Sequence, residues 1–177
     1  MKKNILYVGL DVHKNTIEVA IAENCAEGEV RSYGKINSSL EALNKLIRKI
    51  TAKGSKLHFV YEAGPCGYDI LRYLISKGHT CSVVAPSMIP RRSGDRIKTD
   101  RRDTVNLVRL FRTGELTSIY IPTQEDAAIC DLLRGRDDIR RLERKAQQRL
   151  LAFLLRHGLD YPYKNWSKGH LDWLASI

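Results

Sequence analysis

The sequence lacks any apolar run long enough to cross a membrane and any cysteine pair at metal-ligand spacing. A spanning helix needs about 20 apolar residues, and no stretch approaches that length. No long apolar leader follows Met1. The absence of a C-x-x-C motif argues against a zinc finger and indicates reduced thiols, so we expect a cytoplasmic protein. The four cysteines are spread along the chain as Cys25, Cys66, Cys81 and Cys130.

Acidic residues are fewer than basic residues in this sequence. The 177 residues carry 30 Lys and Arg against 20 Asp and Glu, a formal net charge of +10. The hydrophobic share of 43% and the charged share of 28% are those of an ordinary globular protein. A basic surface most often indicates a nucleic-acid partner, although a merely solvated cationic surface stays open at this point.

Hydrophobic periodicity predicts an α/β domain over residues 1–122. Three short runs (5–10, 16–22 and 30–36) are typical of an antiparallel meander, and a helix then begins after Ser38 or Ser39. Two further apolar runs (57–61 and 80–85) flank a helical segment at 68–77. A helix between two apolar strands predicts a β-α-β unit with parallel strands.

The second half of the chain lacks the strand pattern of the first half. Residues 86–99 lose all periodicity and predict a basic loop, and a helix bearing two aspartates follows. Residues 123–177 then predict a long helix at 124–157 and an apolar tail. A spaced apolar seam favours a coiled-coil-like arm for self-association into dimers or tetramers, while packing of this helix back on the sheet remains open.

Four carboxylates occupy special positions. Asp11 follows the first strand, Glu62 ends the fourth, and Asp100 and Asp103 start the later helix. A helix packed across the two strand ends would bring all four together. Hard oxygen ligands of this kind bind Mg²⁺ or Mn²⁺ and leave positions for phosphate and water. Two such ions about 4 Å apart support phosphodiester chemistry.

Each acid also has a plain structural interpretation. Asp11 fits a hairpin residue and Glu62 a surface carboxylate. Asp100 fits a helix N-cap, with Asp103 favoured by the helix dipole. Flanking cations exceed what a cap requires, and they favour a site that meets a polyanion. The candidate phosphate-contacting residues are Arg91, Arg92, Arg96, Lys98, Arg101 and Arg102.

Three segments, 7–14, 61–64 and 98–104, closely resemble the N-terminal domain of the DEDD transposases of the insertion sequence 110 family. The resemblance runs in order from about residue 5 to 155. It implies a RuvC-like, ribonuclease-H-like fold with a long helical arm. It also implies that Asp11, Glu62, Asp100 and Asp103 form a catalytic, metal-binding tetrad with two Mg²⁺ or Mn²⁺ ions. Members carry a C-terminal domain with a nucleophilic serine, which we expect to lie outside this chain.

The resemblance further implies DNA strand cleavage and joining during transposition, guided by an RNA encoded in the element, in the nucleoid of a bacterium or archaeon. Two alternatives remain: a non-catalytic module for nucleic-acid binding and oligomerisation, and a nuclease like the Holliday-junction resolvases. Sugar kinases and actin-like ATPases also begin with a strand, an aspartate and a hairpin. Their phosphate loop needs glycine after the aspartate, whereas Val12-His13-Lys14 follows here.

Overall fold

The computed structural model describes residues 5–25, 28–51, 55–90 and 99–177, and it divides into two compact units, Met1–Ile121 and Pro122–Ile177. The predicted phosphate contacts Arg91, Arg92, Arg96 and Lys98 lie outside the described residues. The naming of the units as a catalytic domain and an arm stays a prediction.

The first unit is built on a five-stranded mixed sheet with strand order β3-β2-β1-β4-β5. β1 pairs antiparallel with β2, and β2 with β3, so the predicted meander is confirmed. β4 is parallel to both β1 and β5, which confirms the β-α-β unit and the ribonuclease-H-like α/β class. The strands are β1 (Ile5–Val12), β2 (Thr16–Glu23), β3 (Arg31–Asn37), β4 (Lys56–Glu62) and β5 (Thr80–Val84).

In the described part of this unit, the helices that cover the sheet are α1 (Leu40–Thr51), α2 (Asp69–Ser76) and α3 (Asp100–Arg112). The main core joins one face of the sheet to α1 and α2. Branched and aromatic strand residues supply that face, with Leu43 and Leu46 from α1 and Leu71 and Leu74 from α2. A 3₁₀ turn at Pro86–Met88 follows β5.

The other face of the sheet is lined by small residues where α3 packs. Ala20 and Ala22 of β2 are buried against Val108 of α3. Gly9 of β1 lies directly beneath the helix, because a Cβ built there would overlap Val108 Cγ2 and lie 3.3 Å from the Thr104 carbonyl oxygen. Small side chains therefore allow α3 to approach β1 and β2 closely.

The second unit contains α4 (Gln124–Arg156) and α5 (Lys168–Leu174). Its apolar tail packs within the unit around His170, which is fully buried and stacked on Trp173 at 5.6 Å between ring centroids. The backbone N–H of Trp166 donates to His170 Nδ1 at 3.0 Å. None of the helices in the described ranges is long and apolar enough to span a membrane.

We expect Gly9→Ala to lower the free energy of unfolding by about 1–3 kcal/mol, because the added methyl overpacks the contact between β1 and α3. Urea unfolding followed by circular dichroism measures the change. Gly135→Ala is the matched control: it lies in α4 with nothing within 4 Å of a built Cβ. That change should stabilise its helix by about 0.5–1 kcal/mol. Equal effects from both substitutions would contradict the close-approach interpretation.

Candidate metal centre

Two of the predicted acids leave the sheet side by side. β1 and β4 are parallel neighbours, and their register pairs Leu10 with Tyr61. Asp11 and Glu62 are the next residues on each strand, so both stand at the carboxyl end of the parallel pair. Ligands of open α/β sheets commonly bind at such strand ends.

The other two acids come from the first turn of α3. Thr99 is the N-cap, and its hydroxyl accepts the Arg102 backbone N–H at 3.4 Å. The interpretation of Asp100 as the cap is therefore wrong. The Thr99 hydroxyl already accepts a hydrogen bond from a backbone N–H of the first turn, and Asp100 is the first residue of the helix. Asp100 and Asp103 both lie where the helix dipole favours negative charge.

All four acids line one open cleft of about 710 Å³. Within it, Asp11, His13 and Asp100 are closest, with one possible ligand atom from each lying within 4.8 Å of the others. His13 Nε2 lies 3.2 Å from Asp11 Oδ2 and 3.9 Å from Asp100 Oδ1. Glu62 and Asp103 line the same cleft but do not belong to this tighter cluster.

His13 was not among the residues predicted from the sequence. The sequence feature that could have identified it is its position two residues after Asp11, in the short hairpin between β1 and β2. That hairpin is closed by a hydrogen bond from the His13 backbone N–H to the Thr16 carbonyl oxygen at 2.9 Å. The tight turn holds the imidazole beside the strand end.

Lys35 is a second residue that the sequence did not reveal. Its ammonium donates to Asp100 Oδ2 at 3.1 Å, although the two residues are 65 positions apart. This hydrogen bond, together with the charge of Lys35 and of His13, lowers the pKa of Asp100. The same hydrogen bond and the Asp100 charge raise the pKa of Lys35. Both shifts favour the charged forms that make the ion pair between Asp100 and Lys35.

The donor set fits a hard divalent cation. Carboxylate oxygens are the ligands that Mg²⁺ and Mn²⁺ prefer, and the cleft is open enough to admit phosphate and water as further ligands. The side chains of Asp11 and Asp100 are 26% and 45% exposed, so both are reachable from solvent. Arg101 and Arg102, next in sequence to Asp100, are exposed as well.

Comparison with known proteins identifies the class. Residues 8–158 match the transposase family DEDD_Tnp_IS110, so the chain belongs to the DEDD transposases of insertion sequence 110. The predicted family is confirmed. The chain is 45% identical to the y4qE protein of Sinorhizobium fredii, over 95% of its own length and 43% of that protein. It is 38% identical to the transposase for insertion sequence element IS1533 of Leptospira borgpetersenii, over its whole length and 51% of that protein.

The chain thus spans about half the length of the curated relatives it matches. Among solved structures, it is similar to Thermus thermophilus RuvC, with 9% identity and a TM-score of 0.42 over 64% of this chain and 99% of that one. RuvC of the same organism in complex with a Holliday junction substrate gives a TM-score of 0.41 at 8% identity, with the same coverage.

We expect Lys35→Met to raise the pKa of Asp100 toward the ordinary range of an aspartate, because the variant loses both the hydrogen bond and the positive charge that favour the carboxylate. Carboxyl-detected NMR titration of the metal-free protein measures this. Lys45→Met, an exposed lysine of α1, is the control and should leave the Asp100 titration in place. An unchanged Asp100 titration in both variants would exclude the ion pair.

Proposed function

We propose that this chain is the catalytic domain of a DNA transposase that cleaves and joins DNA strands with Mg²⁺ or Mn²⁺. The observation that carries the proposal is the convergence of Asp11, Glu62, Asp100 and Asp103, drawn from β1, β4 and α3, on a single cleft. Family membership supports transposition as the setting.

The four carboxylates are the residues that would hold the cations. Bound divalent ions would supply Lewis-acid stabilisation of the attacking and leaving oxygens of a phosphodiester. The remaining chemistry belongs to the protein. Lys35 hydrogen-bonds Asp100, and His13 lies close to both Asp11 and Asp100 at the side of the cleft nearest the hairpin. The open wall leaves room for a DNA strand.

DNA is the proposed substrate, and a guide RNA encoded in the element is the proposed second nucleic acid. The net charge of +10 favours polyanions, and four of the acidic residues line the cleft. The exposed Arg101 and Arg102 stand at the start of α3, beside the ligand Asp100 in sequence. Together with Arg91, Arg92, Arg96 and Lys98 we propose them as phosphate contacts, which makes binding strongly dependent on salt.

The metal site is tested with Asp11→Asn and Asp100→Asn. Each variant should weaken Mn²⁺ binding, measured by titration calorimetry, because a neutral amide replaces an anionic ligand. Each should also abolish Mn²⁺-dependent nicking of supercoiled plasmid, measured on a gel.

The matched control is Asp69→Asn, an exposed acid of α2 that is ion-paired with Arg72 and does not line the cleft. It should leave Mn²⁺ binding and nicking unchanged. Full Mn²⁺ binding in both cleft variants would reject the metal site and favour the non-catalytic binding module.

We also propose that α4 joins two copies of this chain. It has 33 residues, about 50 Å of helix, and Leu154 is its buried residue. Leu132, Ile139 and Phe153 are exposed by 75%, 68% and 49%. They stand at multiples of seven residues, the repeat that a coiled-coil partner covers. The interrupting charges, Arg136 and Glu143, make the seam imperfect and favour a specific register.

Ile139→Glu should shift the protein toward monomer in sedimentation velocity, because a charge enters the proposed seam. Gln148→Glu adds the same charge on the opposite side of the helix, nine residues further on, and should leave the oligomeric state unchanged. Identical sedimentation of both variants and the unaltered protein would count against an interface through α4.

A further inference from the structure

An irregularity in the edge strand decides which way Lys35 faces. In the pairing of β2 with β3, Val19 lies opposite Gly34 but Ala20 lies opposite Ser32, so the register shifts by one residue. Gly34 has a φ of +105°, a conformation that a side chain would strain. Bulges of this kind bend an edge strand and re-aim the residues that follow.

The shift places Ser32 and Lys35 on the same face of the sheet, although one has an even and the other an odd number. Ser32 and Lys35 are three positions apart, and in a regular strand they would face opposite sides of the sheet. Here the Ser32 hydroxyl donates to Glu18 Oε1 at 3.4 Å, and Lys35 lies opposite Glu18 in the register. Tyr33 instead faces α1, where the Lys49 ammonium lies 5.2 Å from its ring centroid.

A row of charged residues therefore crosses three strands beneath the start of α3. Asp11 lies opposite Glu18, and Glu18 lies opposite Lys35. Glu18 is only 5% exposed, whereas the side chain of Lys35 is 56% exposed. Two carboxylates directly opposite each other repel. The ammonium of Lys35 is the cation at the end of this row, and it donates a hydrogen bond to Asp100.

The ion pair with Asp100 does not by itself explain why a lysine stands at position 35. An ion pair as exposed as this one contributes little to stability. An ammonium has three donors, and among the described residues Asp100 is its one hydrogen-bond partner. The remaining donors are available to a ligand at the rim of the carboxylate cleft, where an anion would meet a positive charge beside four acids.

We propose that Lys35 is a substrate-contacting residue whose ammonium binds a phosphate of the DNA strand that lies at the carboxylate cleft. The proposal rests on the proposed function and extends its binding surface to β3. The bulge at Gly34 is the structural device that delivers this charge. The buried Glu18 and the helical Asp100 flank it.

The experiment measures binding of a short fluorescein-labelled DNA duplex in Ca²⁺ by anisotropy over a series of salt concentrations. Lys35→Met should reduce the slope of log affinity against log salt by about 0.9, the value for one lost phosphate contact. Lys35→Arg keeps the charge and should retain the slope. Lys45→Met removes an exposed lysine from α1, on the other face of the sheet, and should leave the slope unchanged.

Mn²⁺ affinity, measured by calorimetry on the same variants, separates contact from positioning. We expect Lys35→Met to retain Mn²⁺ binding while it loses DNA affinity. Equal slopes for Lys35→Met and Lys45→Met would overturn the proposal. A loss of Mn²⁺ affinity as large as the loss of DNA affinity would also overturn it, because Lys35 would then act through Asp100. Failure of the proposed function is seen separately, as nicking that survives Asp11→Asn.

Discussion

The close approach of α3 to β1 is the contact on which the rest of the site depends. Gly9 has no side chain, and Val108 and Thr104 of α3 occupy the space that a Cβ would need. Because the helix can lie this low on the sheet, its first turn reaches the carboxyl ends of β1 and β4. Two acids from strand ends and two from a helix start then share one cleft. Packing in the core thus determines the geometry of a solvent-exposed site.

Electrostatics explains how four carboxylates can lie in one cleft. Several carboxylates converge at one edge of the sheet, and their repulsion is relieved by groups from three directions. The N-terminus of α3 favours Asp100 and Asp103, His13 lies between Asp11 and Asp100, and Lys35 hydrogen-bonds Asp100. The result is a negatively charged cleft on a chain whose net charge is +10. Any anion that enters this cleft meets four carboxylates, so metal ions or lysine and arginine side chains are needed there to offset the repulsion.

Sequence patterns predicted most of the fold and four residues of the candidate site. Strand alternation, the β-α-β unit and the long helix are local or nearly local signals, and all three agree with the structure. The cap of α3 was assigned to Asp100, one residue too late, because Thr99 and Asp100 are both good caps by residue type. Lys35 was missed because its role depends on a register shift at Gly34. Such a shift is set by pairing between strands and leaves no periodic trace in either strand.

The sequence by itself determined the α/β class, the family and the order of the acids along the chain. These follow from periodicity and from short motifs, which are properties of neighbouring residues. Only the tertiary structure decided which groups meet. Asp11 and Asp100 are brought within one cluster with His13, and Lys35 is turned to the same side by a bulge. The physical reason is that side-chain distance across a sheet depends on register and helix depth, and both are fixed by packing among distant segments.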